Sequence, residues 1–367
     1  MRARPIGALS IVKQSNFVEH PCISNASEGA ADMHSDQPKS KSSTVAPAQV
    51  PRRFVFVLLD NFTLLSFAAA VECLRIANRM AERPLYEWSV IGEGEVVACS
   101  AGSRFQLDGP LGELGRDDTV LICGGVDIQQ AATKKMLNWL RREARRGLKM
   151  GGLCTASYLM ARAGLLDGKR ATIHWENHDS FAEEFPEVSL TKSVFTIDGT
   201  RMTTAGGTSS IDLMLSIVAQ DHDEKLANAV ADQLIYSSIR TDQDTQRLSV
   251  PTRIGVRHPK LSQVIQMMEG NIEEPISPST LARDAGMSTR QLERLFRRYL
   301  SRSPKRYYME LRLQKARNLL MQTDMTVINV ALACGFSSPS HFSKCYRAHY
   351  NTTPYRERGA QSSRLSV

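Results

Sequence analysis

The chain has 367 residues with 46 Lys and Arg against 38 Asp and Glu, enough length for two domains and a net charge of +8. No stretch reaches the ~18 apolar residues of a membrane span. The apolar run near the start is broken at Ser10 and meets Lys13, too short for a secretory signal, so the cytoplasm is the expected compartment. The seven cysteines, Cys22, Cys73, Cys99, Cys123, Cys154, Cys334 and Cys345, include no CxxC pair, which argues for reduced thiols and against a disulfide framework, a structural zinc or any other metal site.

Residues 1–51, rich in Ser, Ala, Pro and Gln without periodicity, predict a disordered extension. RRFVFVLLD (52–60) is a continuous apolar run suited to a parallel strand buried on both faces. FTLLSFAAAVECLRIANRM (62–80) predicts a helix, YEWSVIGEG (86–94) a strand, and DTVLICGG (118–125) a strand ending in a Gly pair. A helix follows over 134–147, then strand and turn in LKMGGLC (148–154), and a helix in TASYLMARAG that Gly164 stops. RATIHWE leads to a strand pair turning at Asp198-Gly199, and SSIDLMLSIVAQD (209–221) is the next helix. Strands alternating with helices indicate an α/β layer with a mainly parallel sheet over 52–238. The polar stretch 239–257 predicts a linker, after which the pattern is helical throughout.

Charge changes at the same boundary. Residues 258–358 hold 16 Lys and Arg against 8 Asp and Glu, the whole excess of the chain, so the remainder is balanced. A basic third on a neutral body points to a polyanionic partner. That third contains a repeat: LARDAGMSTRQLERLFRRYLSRSP (281–304) matches VALACGFSSPSHFSKCYRAHYNTTP (330–354) with one extra residue in the second copy. In each copy a short helix ends at a glycine (Gly286, Gly335), a serine follows (Ser288, Ser337), and a longer helix begins, a helix-turn-helix pattern present twice. Helical spacing turns Leu292, Leu295, Phe296 and Tyr299 inward and leaves Thr289, Arg290, Glu293, Arg294 and Arg297 outside. In the second copy Phe342, Cys345 and Tyr346 face the core while Ser340, His341, Ser343, Lys344 and Arg347 face out. The first exposed residues of such helices can reach base edges in the major groove. The run between the copies, KRYYMELRLQKARNLLMQ, is roughly 27 Å as a helix and can hold the two readers near one ~34 Å turn of DNA apart.

On these residues, 258–358 resembles the DNA-binding domain of AraC/XylS-type transcription regulators, matching its pattern of Gly-Phe, Ser, Phe, basic-aromatic and terminal Thr-Pro; Asn351 stands where a Gly is usual. Residues 359–367 read as a disordered tail.

Within GGLCTASYLMARAGLL (151–166), Cys154 sits on a tight turn between strand and helix, the way an enzyme holds a nucleophile and also a way to shape a pocket at strand ends. Residues 52–238 resemble the class I glutamine amidotransferase-like, or PfpI-like, fold, a flavodoxin-like sheet with helices on both faces. Family enzymes pair the elbow cysteine with a histidine and often a glutamate, for which Cys154, His174 and Glu72 are the candidates here. A thiol-dependent hydrolase or amidotransferase using Cys154 and His174 is the alternative reading. Ala156 in place of the usual final Gly, and fusion to a DNA reader, favour a non-enzymatic sensor instead. The stretches DNFTLLSFAAAVECLRIANRM, CGGVDIQ, LLDGKRATIHWEN and AGGTSSIDLML are similar to regulators of choline, glycine betaine, carnitine and arginine catabolism. That resemblance implies a ligand joining a carboxylate to a cationic nitrogen. The expected contacts are Trp175 and Glu176 for the cation, and the helix starts at Cys154-Thr155 and Gly207-Thr208-Ser209 for the anion, with His174 nearby. It also implies an activator that needs no cofactor and that works with an operator duplex, a small inducer, RNA polymerase and a second copy of the chain.

Overall fold

The structure, a computed structural model, describes residues 50–247, 250–256 and 258–364. Residues 1–49 of the predicted extension, and residues 365–367 of the predicted tail, lie outside the described residues.

The N-terminal part is built on a seven-stranded sheet. In chain order its strands are β1 (Arg52–Leu58), β2 (Tyr86–Gly92), a separate hairpin β3 (Val96–Ala98) and β4 (Arg104–Gln106), β5 (Gly109–Pro110), β6 (Thr119–Cys123), β7 (Lys149–Leu153), a small pair β8 (Arg170–Ala171) and β9 (Ser189–Leu190), β10 (Phe195–Asp198) and β11 (Arg201–Thr204). The sheet runs β10-β11-β7-β6-β1-β2-β5, parallel except for the edge hairpin β10–β11 that turns at Asp198-Gly199. Strand β1 explains its own apolar run. Phe54, Phe56 and Leu58 enter a core with α1 (Leu64–Met80), α5 (Ser209–Asp221) and α6 (Glu224–Gln233) on one face. Val55 and Val57 enter a second core with α2 (Lys134–Arg145), α3 (Ser157–Arg162) and α4 (His178–Glu184) on the other. A strand buried on both sides has no polar face to alternate with.

The C-terminal part is helical: α7 (Val250–Ile254), α8 (Pro259–Gly270), α9 (Pro278–Asp284), α10 (Thr289–Leu300), α11 (Pro304–Gln322), α12 (Val327–Ala333), α13 (Pro339–Tyr350) and α14 (Pro354–Arg364). It has two cores that share one helix. Tyr308, near the start of α11, packs with α7 to α10, while Leu313, Ala316, Leu319 and Leu320 pack with α12 and α13. Both inter-helix turns use a left-handed glycine, Gly286 at φ 63° and Gly335 at φ 73°. Gly335 is needed for space as well, since a Cβ there would lie 2.5 Å from the Ile272 carbonyl oxygen. The loop between α8 and α9 therefore presses directly on the second copy's turn. Arg312 of α11 closes the same joint. Its Nε and Nη2 donate to the Cys334 and Gly335 carbonyls at 2.8 and 2.7 Å, and its guanidinium lies 4.1 Å from the Phe336 ring centroid.

One sequence expectation needs correction, and two segments show further detail. The serine capping α13 is Ser338, not Ser337: its side chain accepts from the His341 N–H, with Pro339 in the first helical turn. Within the stretch 239–257, expected as a linker, described residues make contacts with both domains. Arg240 is bonded to Asp212, Gln246 donates to Thr172, Ile173 and Ser193 on the sheet side, and Val250 lies in the helical core. The tail is helical through Arg364 because Thr353 caps a helix beginning at Pro354.

Candidate functional site

Strand β7 ends at Leu153, and Cys154 then takes φ 63°, a conformation a non-glycine residue adopts only when its surroundings impose it. Gly206 at φ 84°, just after β11, leaves room for it: a Cβ there would come within 2.5 Å of the Cys154 Cβ and 2.8 Å of its sulfur. The parallel pairing of β7 with β11 brings the two turns together. On the other side Thr63, the residue preceding α1, places its Oγ1 3.5 Å from the Cys154 Sγ. Thr155 donates its hydroxyl to the Gly125 carbonyl at 2.7 Å, tying the elbow to the end of β6. The elbow is thus a built feature with its thiol pointed at the carboxyl ends of the sheet strands.

Its chemistry is that of a neutral thiol. Burial pushes the Cys154 pKa up, outweighing the Thr63 hydroxyl and the Thr155 N–H, and the Glu176 carboxylate pushes the same way. Among the described residues the hydrogen-bond partner of the sulfur is Thr63 and not His174. The His174 Nδ1 instead accepts from the Glu176 N–H at 3.4 Å, and burial, partly offset by Glu176, lowers its pKa. Glu72, the third expected member, lies away from the elbow on the outer side of α1, ion-paired with Arg75. In this arrangement, among the described residues, no base is hydrogen-bonded to the sulfur.

What the elbow does shape is a cavity of roughly 640 Å³, well within the ~300–1,000 Å³ of small-molecule sites. Thr63, Asp127, Cys154, Thr155, His174, Glu176, Gly206 and Gly207 line it from the sheet domain. Gln314, Arg317, Asn318, Met321 and Gln322 of α11, with Glu357 of α14, line it from the helical domain. The last turns of α11 lie across its mouth. Ser180 donates to the Gln322 side chain at 2.8 Å, Gln129 donates to the Gln322 carbonyl at 3.0 Å, and Asn318 reaches the Glu176 carbonyl at 3.5 Å.

Cys154, Thr155, His174 and Glu176 therefore meet in one cavity as expected, while two further candidates do not join them. Trp175 is turned out of the cavity lining, and the Arg247 guanidinium already covers its ring at 4.7 Å. Thr208 accepts from Arg240 at 2.9 Å, and it is the preceding glycines that line the cavity. Thr63 and the α11 residues went unnoticed in the sequence. The first is an ordinary helix-start residue, and nothing in a sequence marks which face of a distant helix roofs a pocket.

On the helical domain, Thr289, Arg290 and Arg294 of α10 and Ser340, His341 and Lys344 of α13 are exposed, with Glu293 and Ser343 half-buried beside them. Leu292, Phe296, Phe342 and Tyr346 are fully buried beneath. Ser288 and Gln291 form a reciprocal capping box that fixes the start of α10, where base contacts would be made. Among the described residues no three His, Cys, Asp or Glu side chains converge on a metal position, and no helix is long and apolar enough to cross a membrane.

The family described as DJ-1/PfpI matches residues 52–220, and the one described as helix-turn-helix domain matches residues 281–360. The chain is 44% identical to the HTH-type transcriptional regulator GbdR of Pseudomonas aeruginosa over 85% of both chains. It is 47% identical to the regulator CdhR of the same organism over 83% of this chain and 91% of that one. With the regulator ArgR, again from P. aeruginosa, identity is 40% over 84% and 93%.

Proposed function

The chain belongs to the HTH-type transcriptional regulators that join a DJ-1/PfpI domain to an AraC-type helix-turn-helix domain, and from that premise we propose that it activates catabolic genes in response to a small zwitterion. The inducer pairs a carboxylate with a cationic nitrogen, as glycine betaine, dimethylglycine, carnitine and arginine do. It occupies the cavity beside Cys154, within a sensor spanning 52–238 that controls a reader spanning 258–358. Arg290, Arg294, His341 and Lys344 make the base contacts in adjacent major grooves, and the regulator works in the cytoplasm as a homodimer that engages RNA polymerase.

The observation that carries this reading is the position of the cavity between sensor and reader. A ligand shifts a conformational equilibrium only by what it gains in one arrangement over another. An occupant touching both domains gains most when α11 is seated on the elbow. The charge of the lining supports the ligand class, because Asp127 and Glu176 supply two carboxylates to receive a cation while Glu357 is paired with Arg317. The neutral, unactivated Cys154 supports sensing over thiol chemistry.

The test is a thermal-shift series on the full chain with betaine, dimethylglycine, carnitine, choline and arginine, followed by operator titrations with and without the best stabiliser. A ligand at a hundredfold its dissociation constant should add about 2.7 kcal/mol to stability and should change operator affinity. If none of the five stabilises the protein, the ligand class is wrong. Stabilisation with unchanged operator affinity would remove the sensing role.

A further inference from the structure

Resting on that sensing role, we infer that Arg317, a residue of the DNA-reading half, is the receptor for the ligand's carboxylate, so that the ligand is held by both domains at once. The two helix starts expected to take the anion are largely engaged. The Gly206 N–H donates to the Thr204 hydroxyl at 2.9 Å and the Gly207 N–H to the Ser66 hydroxyl at 2.7 Å. At the elbow the Thr155 hydroxyl is already given to the Gly125 carbonyl at 2.7 Å. Among the charged groups lining the cavity, Asp127, Glu176 and Glu357 are anionic and burial disfavours a charge on His174, which leaves Arg317 as the cation.

Arg317 is also held ready. Its Nε and Nη2 both donate to one Glu357 oxygen, at 3.2 and 3.0 Å, and its guanidinium lies 4.7 Å from the Tyr350 ring centroid. Among the described residues its Nη1 has no hydrogen bond, so the fork keeps one edge for a further acceptor. A zwitterion then lies across the domain boundary, its carboxylate on Arg317 and its cationic nitrogen towards Asp127 and Glu176 of the sensor. Tyr350 ends α13 and Glu357 begins α14, so the residue that takes the carboxylate is packed against the C-terminal end of the second recognition helix. Occupancy is thereby coupled to the second recognition helix through Tyr350.

The experiment compares matched probes with and without a carboxylate, L-arginine against agmatine and glycine betaine against choline, by calorimetry on the full chain. Wild type should bind the carboxylate member of at least one pair about tenfold or more tightly. Arg317→Gln should abolish that preference, and Arg317→Lys, which keeps the charge but not the fork, should restore part of it. A carboxylate preference that survives in Arg317→Gln overturns the assignment. So does a wild type that binds agmatine or choline as well as its partner, and that result leaves the sensing role intact. A wild type that binds no probe overturns the zwitterion reading and this inference with it. Hydrogen exchange on unmutated protein guards against a variant that fails to fold: the carboxylate probe should slow exchange in residues 314–322 as well as 153–157. Slowing confined to 153–157 counts against Arg317.

Discussion

Replacing Arg312 by methionine isolates what fastens the second helix-turn-helix to the spacer helix. The substitution keeps an apolar stem of similar length and removes two hydrogen bonds of 2.8 and 2.7 Å to consecutive carbonyls, together with the contact to Phe336. Hydrogen bonds from a charged donor contribute about 1.5–3 kcal/mol each, and a cation over an aromatic ring about 0.5–2 kcal/mol. Arg312 is only partly buried, so water replaces some of this, and the lower ends apply: a loss of about 3 kcal/mol. With a urea slope of ~2 kcal/mol per molar, the unfolding midpoint of the helical domain should fall by roughly 1.5 M. The loss should also be local. The first reader does not depend on this joint, so a hydroxyl-radical footprint on the operator should fade over the half-element read by α13 before the one read by α10. A midpoint within about 0.3 M of wild type, with both half-elements protected, would refute the claim that this arginine holds the second reader in place.

Other expectations concern the readers, the sensor and its ionisable groups. Arg294→Ala and Lys344→Ala should each cost about 1–3 kcal/mol in operator binding and relax preference at one position; equal affinity and selectivity would misplace the recognition helices. Trp175→Ala should leave ligand affinity within about twofold of wild type in calorimetry, because its ring faces Arg247 and not the cavity; a loss of tenfold or more would return the aromatic to the site. The Cys154 thiol should react with iodoacetamide at pH 7.5 more slowly than free cysteine and accelerate only well above the ordinary thiol range, since its pKa is raised. Its alkylation matching that of free cysteine at neutral pH would restore the nucleophile reading. His174 and His178 both have lowered pKa values through burial. Their contribution to stability is full above the ordinary value near 6.5 and is lost as pH falls through the folded values, so acid melts should show a decline beginning below about pH 6.5 that Gln substitutions at both positions reduce.

The parts of this molecule that were legible in sequence are those whose cause is local. Apolar runs of β1 and β6, the Asp198-Gly199 turn, and the paired Gly-Ser helix junctions each carry their reason in adjacent residues. Helices α4 and α6 were not distinguished, since α4 is short and α6 is polar at half its positions, its apolar side being mostly alanine. The elbow cysteine was legible because strand, glycines and helix are contiguous, and so was the cluster of Cys154, Thr155, His174 and Glu176. Trp175 lies outside the cavity lining for a physical reason. It stands next to Glu176, but successive residues of a tight turn point in different directions, and its face was taken by an arginine 72 positions away. The roof of the cavity could not be read at all. Gln314, Arg317, Asn318 and Gln322 look like the solvated side of a spacer helix until the sensor is set against them.

The way the chain passes between its halves limits how far they can part. Gln246 is fastened to Thr172, Ile173 and Ser193, Arg247 lies over Trp175, and Val250 is already in the core of the helical domain. From Arg247 to Val250 there are three Cα steps of about 3.8 Å, so a fully stretched crossing spans about 11 Å. A regulator joined by a long tether can release its reader entirely and rely on local concentration to bring it back. While these contacts hold, the crossing keeps the reader close to the sensor, so that α11 would leave the elbow by pivoting. Gly-Ser insertions of increasing length at 248–249 would turn the pivot into a tether, and inducer dependence should decay with each added residue while operator affinity without inducer is retained.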